Sequence, residues 1–315
     1  MKLLITGASG LIGSALEPFL RKAGHDVNRL VRHKESASCC DFYWDPYADE
    51  LDRAALEGIE GVIHLSGENI AARWTESKKQ KILDSRVKPT RFLSKIVSDL
   101  ETPPKVLISA SAIGYYGDRG DEVLTEKSKF GSGFLSDVVR QWEAATTPAA
   151  VKGIRVLTLR LGVVLSRHGG ALARMVPPFK MGAGGIVGNG DQYWSWVGID
   201  DVVGALNHAL TTDTLEGPVN VVAPNPVTNR EFTKVLGRVL GRPTFVPMPA
   251  FAARIAFGEM AQALLLASAR VEPAKLKATN YEFWHPELEE LLHYVLEIEG
   301  ASPAKEEESA QETPN

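Results

Sequence analysis

The chain opens with an apolar run that leads directly into a glycine-rich turn, and this feature constrains the fold more than any other. The run Leu3-Leu4-Ile5 is followed by Thr6-Gly7-Ala8-Ser9-Gly10-Leu11-Ile12-Gly13, and a helical apolar pattern begins after it. Gly7 permits a tight turn, Gly10 lets the backbone approach a pyrophosphate, and Gly13 lets the helix pack closely on the sheet. Because unpaired N–H groups at a helix N-terminus attract anions, the pattern predicts a dinucleotide site. A glycine-rich turn without a ligand is the alternative.

Apolar runs alternate with helical patterns through the first half of the chain. Strand-like runs cover residues 2–5, 27–31, 41–44, 61–65, 105–109 and 156–161. Helical patterns lie between them at residues 14–23, about 77–100 and about 133–145. This alternation predicts an α/β fold with a doubly wound parallel sheet. The strands are apolar almost throughout, as expected for strands that are buried on both faces.

The pattern changes after residue 165. Glycines recur between residues 169 and 190, which suggests loops over a site, and helical patterns return at residues 202–210, 230–240 and 250–269. We therefore expect a dinucleotide-binding domain over residues 1–165. Residues 166–300 are expected to form mainly a small substrate lobe, with some return to the sheet. Residues 301–315 are rich in Glu, Pro, Ala and Ser and are expected to be a disordered acidic tail.

Composition excludes several classes of partner. The net charge of the 315 residues is −4, and no basic stripe indicates nucleic acid or an anionic membrane, so we expect neither partner. No apolar stretch is long enough to span a bilayer, and no secretory signal precedes the first strand. The only cysteines, Cys39 and Cys40, are adjacent and cannot form a disulfide framework, which favours a cytoplasmic location. The scattered histidines predict no metal site.

The end of the second strand favours NADP(H) over NAD(H). Sites for NAD usually place Asp or Glu there, about 20 residues beyond the glycines, to bind the ribose hydroxyl. Here the sequence reads Arg32-His33-Lys34, with Arg32 19 residues after Gly13 and no carboxylate. An arginine can pair with a 2′-phosphate through two hydrogen bonds, so Arg32 and His33 are candidate cofactor ligands. A solvated basic loop is the alternative.

Several further segments occur in a characteristic order. They are Leu65-Ser66-Gly67-Glu68-Asn69-Ile70, Ser85-Arg86, Ser109-Ala110-Ser111-Ala112-Ile113-Gly114-Tyr115-Tyr116-Gly117, Trp142-Glu143, Arg160-Leu161-Gly162, Gly188-Asn189-Gly190-Asp191-Gln192, Trp194-Ser195-Trp196, Asp200-Asp201-Val202 and Pro226-Val227-Thr228-Asn229. With these segments the chain resembles the extended short-chain dehydrogenases/reductases over about residues 1–298. More narrowly, it resembles the atypical NAD-dependent epimerase/dehydratase-like subfamily, whose members often bear the name epimerase family protein.

The resemblance implies a Rossmann-type sheet with a small C-terminal substrate lobe. It implies a cofactor that runs from the glycine turn (Ser9, Leu11 and Ile12 included), past Arg32, to the end of the fifth strand at Ser109. Leu65, Ser66 and Gly67 would line the cofactor, and Ser111 matches the serine that hydrogen-bonds the reacting substrate oxygen. A small-molecule substrate is implied as well, and a homodimer is left open.

One family motif is missing. Working members carry Tyr-x-x-x-Lys on the helix after the serine, where the tyrosine exchanges the proton and the lysine lowers the tyrosine pKa. The corresponding stretch here is Gly133-Phe134-Leu135-Ser136-Asp137-Val138-Val139, and no Tyr-x-x-x-Lys occurs anywhere in the chain. The standard mechanism therefore cannot simply be transferred.

Other residues are candidates for the missing chemistry. Tyr115 and Tyr116 could supply a phenol, or they could pack on the lobe and over a loop; Ser111 could donate to substrate or serve as a structural cap. Arg86 could lie at the cofactor and bind an anionic substrate or support the site, with a surface ion pair as the alternative. Glu68 could act as acid or base beside the cofactor, or bond backbone N–H groups.

Gln192, Trp194 and Trp196 follow the glycine-rich stretch and suit a small-molecule pocket. Core packing is the alternative, and we expect it for one of the two tryptophans. The leading hypothesis is an NADP(H)-dependent oxidoreductase or epimerase-like enzyme that acts on a small polar substrate, such as a sugar or nucleotide sugar, with a non-standard proton relay. The alternative is a non-catalytic NADP(H)-binding sensor or regulatory module.

Overall fold

The computed structural model describes residues 1–32 and 40–297. His33 and the expected disordered tail at residues 301–315 lie outside the described residues. The strands of the described part are β1 (Lys2–Thr6), β2 (Asp26–Val31), β3 (Asp41–Asp45), β4 (Glu50–Leu51), β5 (Gly61–His64), β6 (Val106–Ala112), β7 (Val123–Leu124), β8 (Arg155–Leu161), β9 (Val163–Ser166), β10 (Tyr193–Trp194), β11 (Trp196–Gly198), β12 (Gly217–Val221), β13 (Val227–Thr228) and β14 (Arg270–Val271).

The helices of the described residues complete the element order. They are α1 (Leu11–Lys22), α2 (Glu76–Ser98), α3 (Phe134–Ala144), α4 (Thr147–Val151), α5 (Gly170–Lys180), α6 (Ile199–Thr211), α7 (Asn229–Val239), α8 (Ala250–Phe257), α9 (Glu259–Ala261), α10 (Ala274–Ala278) and α11 (Leu288–Leu296). Short 3₁₀ turns cover Arg53–Leu56 and Ile113–Tyr116, and a π-helical turn covers Gln262–Leu266.

An eight-stranded sheet forms the centre of the molecule, in the order β12-β8-β6-β5-β1-β2-β3-β4. All neighbours pair in parallel except β4, which runs antiparallel to β3. The strand order reverses between β1 and β5, and ligands of such sheets bind at the carboxyl ends of the strands at that point. The predicted α/β fold with a doubly wound parallel sheet is confirmed.

Both faces of this sheet are buried, because alternate residues of each strand point to opposite faces. Leu3 and Ile5 of β1 pack with α1 and α6 in one apolar cluster, whereas Leu4 packs with Leu93 and Val97 of α2 in another. The C-terminal lobe has its own apolar core, in which side chains of α7 and α11 pack around two tryptophans. The sheet thus holds the carboxyl ends of its strands in fixed positions.

Two expectations for the second half are wrong. The glycine-rich stretch is not all loop, because residues 170–180 form α5. The helical pattern at residues 250–269 is not one helix, because Gly258 adopts a φ of +63° and ends α8 there. The expected boundary at residue 165 stays a prediction, while β12 returns the chain to the sheet after that boundary.

Candidate functional site

The glycine turn between β1 and α1 is shaped by backbone packing. Gly7 has a φ of +74°, and a Cβ there would lie 2.8 Å from the carbonyl carbon of Leu65. A Cβ on Gly13 would lie 2.3 Å from the carbonyl oxygen of Gly7, so α1 can approach the turn only with glycine at this position. The amide of Gly10 donates to the same oxygen at 3.0 Å.

The N-terminus of α1 is open to an anion. No side chain of residues 1–32 or 40–297 caps the helix at Gly10, so the first amide groups of Leu11 and Ile12 face outward without a side-chain partner. Ser9 lies exposed at the tip of the turn. This arrangement of free N–H groups can bind a pyrophosphate.

Arg32 follows β2 and is exposed at the same edge of the sheet. It makes no hydrogen bond or ion pair with a described residue, unlike Arg29, which binds Glu17 and Asp41. Tyr47, which the sequence analysis missed, lies within electrostatic range of Arg32; burial raises the pKa of Tyr47, and the charge of Arg32 opposes that rise. The charge of Arg32 therefore acts on the Tyr47 phenol at this end of the site.

Beneath the glycine turn, the last residues of β1 and β5 form a buried polar pair. Thr6 Oγ1 lies 2.7 Å from His64 Nδ1, and the amide of Leu65 donates to the carbonyl oxygen of Thr6 at 3.1 Å. Burial lowers the pKa of His64 to about 4. This contact, which the sequence analysis also missed, fixes the start of the loop that contains Leu65, Ser66 and Gly67.

Arg86 of α2 supports this loop from below. Its guanidinium carbon lies 3.5 Å from where a Cβ of Gly67 would be, and Nη2 donates to the carbonyl oxygen of Glu68 at 3.0 Å. Burial lowers the pKa of Arg86 to about 10. Arg86 is therefore not the surface ion pair that the sequence left open, because its hydrogen bonds go to carbonyl groups and to the Ser85 hydroxyl.

Glu68 is turned toward α2. Its carboxylate binds Lys78 Nζ at 2.6 Å, and this bond lowers the pKa of Glu68. The backbone amide of Glu68 also points to α2, where it donates a hydrogen bond to Ser85 Oγ at 3.0 Å. The side chain thus holds the loop against α2, which leaves it poorly placed to exchange protons.

Ser111 belongs to a buried polar network at the carboxyl end of β6. Its hydroxyl donates to Glu143 Oε1 of α3 at 2.6 Å. Arg160 of β8 binds both oxygens of the same carboxylate, each at 2.8 Å. Burial works to lower the pKa of Arg160, but the bonds to Glu143 outweigh it and raise the pKa above its usual value. Ser109, two residues earlier, is buried and donates to the carbonyl oxygen of Ala110.

Tyr116 is a structural member of this network. Its hydroxyl contacts Asn220 Oδ1 at 2.7 Å and the carbonyl oxygen of Thr125 at 3.1 Å, and Arg160 Nη1 donates to it at 3.0 Å. The side chain is fully buried, and burial raises the pKa of its phenol. A hydroxyl with three protein partners and no exposed surface is unsuited to the proton exchange that the sequence suggested, so the packing alternative describes Tyr116.

Tyr115 differs from its neighbour. Its ring stacks on Arg160, whose guanidinium carbon lies 3.4 Å from the ring centroid, and the residue is partly exposed. The hydroxyl of Tyr115 has no hydrogen-bond partner among residues 1–32 and 40–297. Arg160 thus contacts Tyr115 directly and Ser111 through Glu143, and the phenol of Tyr115 is free to bind a ligand.

The helix after the serine carries apolar residues where the family motif would place its relay. Val138 and Val139 of α3 are buried, and Phe134 packs edge-on against Trp74. Neither a phenol nor an amine is available on this helix. Glu143, the penultimate residue of α3, is the ionisable group of this helix that contacts Ser111.

The three predicted substrate residues lie in the C-terminal lobe. Trp194 packs against Phe232, and Trp196 is buried with its Nε1 donating to the carbonyl oxygen of Asn225. Gln192 Nε2 donates to the carbonyl oxygens of Val187 and Leu265, each at 2.9 Å. We expected one tryptophan in the core; both are there, because the lobe gathers both into one apolar cluster with side chains of α7 and α11.

Neither metal ligands nor membrane spans stand out in the described part of the chain. Within residues 1–32 and 40–297, no three His, Cys, Asp or Glu side chains come together as a metal site would require. In the same residues, no helix combines the length and apolar character needed to cross a membrane.

Comparison with known proteins places this site in context. The model of the NAD dependent epimerase/dehydratase family matches residues 3–222, and that of a domain of unknown function (DUF1731) matches residues 248–295. The epimerase family protein Mb2239 of Mycobacterium bovis is 45% identical over 292 residues, which cover 92% of this chain and 96% of the relative.

Solved structures agree with this assignment. The crystal structure of human epimerase family protein SDR39U1 (isoform 2) with NADPH superposes with a TM-score of 0.87 at 34% identity, covering 95% of this chain and all of the human one. A UDP-glucose 4-epimerase of Thermotoga maritima, crystallised with UDP-glucose, has a TM-score of 0.74 at 20% identity, covering 94% of this chain and 98% of that chain. The second likeness shows the fold alone.

Proposed function

The chain belongs to the NAD-dependent epimerase/dehydratase family, and on this premise we propose that it binds NADP(H) and transfers a hydride between the nicotinamide and a small polar substrate. The observation that carries the proposal is the uncapped N-terminus of α1 next to the glycine turn. A Cβ on Gly13 would collide with this turn and prevent the close approach of the helix. The NADPH in the human relative supports the choice of cofactor.

The preference for NADP(H) over NAD(H) rests on Arg32. The guanidinium is exposed, free of ion pairs with described residues and located at the end of β2, where a 2′-phosphate would lie. A carboxylate at this position would instead repel the phosphate. Tyr47, whose phenol is influenced by the charge of Arg32, is exposed and offers a ring on which an adenine can stack.

Toward the nicotinamide end, we assign the loop of Leu65, Ser66 and Gly67 and the end of β6 at Ser109 as the wall of the cofactor site. Arg86 is a positioning residue here, because it fixes Gly67 and Glu68 from the far side of the loop. The bound cofactor supplies or accepts the hydride; the residues of the chain orient the substrate and move its proton.

We assign the binding of the reacting substrate oxygen to Ser111 and the transfer of its proton to Tyr115. Since Ser111 gives its own proton to Glu143, its oxygen keeps lone pairs that accept a hydrogen bond from a substrate hydroxyl. In reduction, the free phenol of Tyr115 donates its proton to the carbonyl oxygen of the substrate and becomes a phenolate; in oxidation, that phenolate takes the proton of the substrate hydroxyl. Arg160 orients Tyr115 by stacking on its ring and Ser111 through the Glu143 carboxylate, and its positive charge favours negative charge on the Tyr115 oxygen.

The sensor alternative keeps one observation in its favour. Val138 and Val139 leave α3 without a relay, as expected for a protein that binds the dinucleotide and performs no reaction. Such a protein would bind NADPH as tightly as an enzyme does, so binding alone does not separate the two functions.

A hydride-exchange assay separates them. The protein is incubated with NADPH deuterated at C4 and a panel of aldehydes, ketones, sugars and nucleotide sugars, and products are read by mass spectrometry. The enzyme proposal predicts deuterium in a product, with at least about a hundredfold loss in Ser111→Ala and Tyr115→Phe. The Tyr116→Phe variant is the matched control and should retain label transfer. Tight NADPH binding without transfer to any compound would support the sensor instead.

A further inference from the structure

Helix α8 is packed with its apolar side chains outward. Phe251 and Ile255 are one helical turn apart and are 65% and 71% exposed, whereas the side chain that α8 buries is the small Ala253. Phe257 follows at the same end and is also exposed. A surface helix of a globular protein normally turns its large apolar side chains toward the core. The outward apolar face of α8 therefore suits a contact with something that the described chain does not supply.

The exposed face continues along the chain that precedes α8. Phe245 is 86% exposed, and Val246 and Met248 are exposed beside it. This segment is held in place, since the amide of Met248 donates to the carbonyl oxygen of Ile186 at 2.8 Å and its own carbonyl accepts from Gly188 at 2.9 Å. The apolar side chains therefore project from a fixed backbone.

Positive charge surrounds these apolar side chains. Residues 232–258 contain four Lys or Arg, of which Arg238 pairs with Glu289, and no Asp or Glu, although the whole chain has a net charge of −4. Lys234 and Arg242 line a shallow cavity of about 530 Å³ together with Phe245. Neither cation pairs with a carboxylate among residues 1–32 and 40–297.

The neighbouring elements supply few negative charges. Glu289 of α11 pairs with Arg238 and Glu259 pairs with Lys79, whereas the carboxylate of Glu231 caps α7 through hydrogen bonds from Thr228 and keeps its charge. Arg254 of α8 donates to the side-chain oxygen of Gln262 and keeps its charge. We define the basic apolar surface by these exposed residues: Lys234, Arg242, Phe245, Val246, Met248, Phe251, Arg254, Ile255 and Phe257.

Two occupants fit this surface poorly. A second copy of the chain, paired through the same face, would set cations against cations, and like charges across an interface cost binding energy. Residues 298–315 carry a complementary negative charge, but Ile298 is the one large aliphatic side chain among them, and they contain no aromatic one. That segment cannot match three exposed phenylalanines.

We propose that the basic apolar surface docks on an anionic lipid bilayer. Aromatic and aliphatic side chains of an interfacial helix enter the boundary between headgroups and acyl chains, while neighbouring cations pair with anionic headgroups. The proposal replaces our sequence-based expectation of no membrane partner, which rested on the lack of a basic stripe. The cations of this surface (Lys234, Arg242 and Arg254) all lie within residues 232–258, a segment without Asp or Glu to which the sequence analysis assigned no role. It is independent of the proposed reaction.

Vesicle flotation tests the proposal on the full chain. Wild-type protein is mixed with vesicles that contain about one-third phosphatidylglycerol in phosphatidylcholine, and with vesicles of phosphatidylcholine alone. We expect flotation with the anionic vesicles and at least about tenfold weaker binding to the neutral ones. The double variant Phe251→Ser/Ile255→Ser should lose at least about tenfold in binding to the anionic vesicles.

Matched variants control for folding and for charge. Val151→Ser removes an equally exposed apolar side chain on α4 and should float like the wild type. Lys234→Gln/Arg242→Gln should weaken binding and reduce its dependence on salt. All variants should bind NADPH as the wild type does.

Three results would overturn the proposal: no flotation of the wild type, flotation unchanged by Phe251→Ser/Ile255→Ser, or a dimer in solution that this double variant dissociates. The last result would assign the surface to a second copy of the chain.

Discussion

At the glycine turn the site consists of backbone, shaped by eight consecutive residues, whereas at Ser111 it consists of side chains that come from three elements. The turn needs only Gly7 and Gly13, each of which sits where a Cβ would collide with a carbonyl group. The Ser111 end needs Glu143 of α3, which lies 32 residues after the serine, and Arg160 of β8, which lies a further 17 residues along the chain. A site made of backbone can be recognised in one short segment, but a site made of side chains depends on how distant elements pack.

Because the Ser111 end depends on buried side chains, we expect the largest loss of stability from a substitution there. Glu143→Gln leaves Arg160 buried without its carboxylate, and we expect a loss of about 3–5 kcal/mol in the free energy of unfolding. Urea denaturation measures it. Asp137→Asn on the same helix breaks an exposed pair with Arg140 and should cost no more than about 1 kcal/mol. Equal losses in the two variants would contradict the account of the network.

At the backbone end, Gly13→Ala tests whether the turn is as rigid as its contacts indicate. The new Cβ would meet the carbonyl oxygen of Gly7, so we expect a loss of about 2–3 kcal/mol in stability together with loss of NADPH binding. Thermal unfolding with and without NADPH reports both effects. Ser14→Ala, at the next and exposed position, is the control. A Gly13→Ala protein that binds NADPH normally would show that the turn can rearrange.

The pair beneath the turn predicts a pH dependence. The pKa of His64 is lowered to about 4 in the folded state, against about 6.5 when unfolded, so the unfolded state binds more protons between these values. The contribution of His64 to the free energy of unfolding is fully present above about pH 6.5 and is lost as the pH falls toward 4. From pH 7 to pH 5 we expect a loss of about 2 kcal/mol, measured by denaturation at each pH.

The variant His64→Asn removes this titration and should flatten the pH dependence by the same amount. Because the pKa values of His25 and His208 are also lowered by burial, the comparison of wild type with variant isolates the contribution of His64. An identical pH profile in the two proteins would show that His64 is not protonated on unfolding in this range.

The two adjacent tyrosines give the smallest expected changes in stability, but they should differ clearly in hydride transfer. Tyr116→Phe removes a buried hydroxyl that contacts Asn220 and Arg160, and we expect a stability loss of about 1–2 kcal/mol with hydride transfer retained. Tyr115→Phe should leave stability within about 0.5 kcal/mol and abolish the transfer. Denaturation and the deuterium assay on both variants check this. The reverse pattern would exchange the roles assigned to the two residues.

The same contrast explains what could be predicted from sequence. The strands around Gly7, the helix that starts near Leu11 and the free cation at Arg32 follow from local patterns, because apolar runs and glycine turns act over a few residues. The π-helical turn and the end of α8 at Gly258 did not follow, since a helical apolar pattern continues through that glycine.

The candidate site was predicted in part. Ser111 follows from the sequence as a candidate and stays a prediction, whereas no role for Glu143 or Arg160 follows from it, although both stand out as charged residues in buried stretches. Their pairing depends on the register of β6 with β8, in which Ser111 lies opposite Arg160. The outward face of α8 was missed because the sequence of an amphipathic helix does not tell which side the core will cover.

Calorimetric titration with NADPH and NADH tests the central claim most directly. The account predicts that the wild type binds NADPH at least about tenfold more tightly than NADH, since charge-assisted bonds from Arg32 to the 2′-phosphate are absent with NADH. Arg32→Glu should lose this preference, while Arg91→Glu, an equal change of charge at an exposed position of α2, should keep it. Equal affinities of the wild type for both dinucleotides, or no binding of either, would contradict the account.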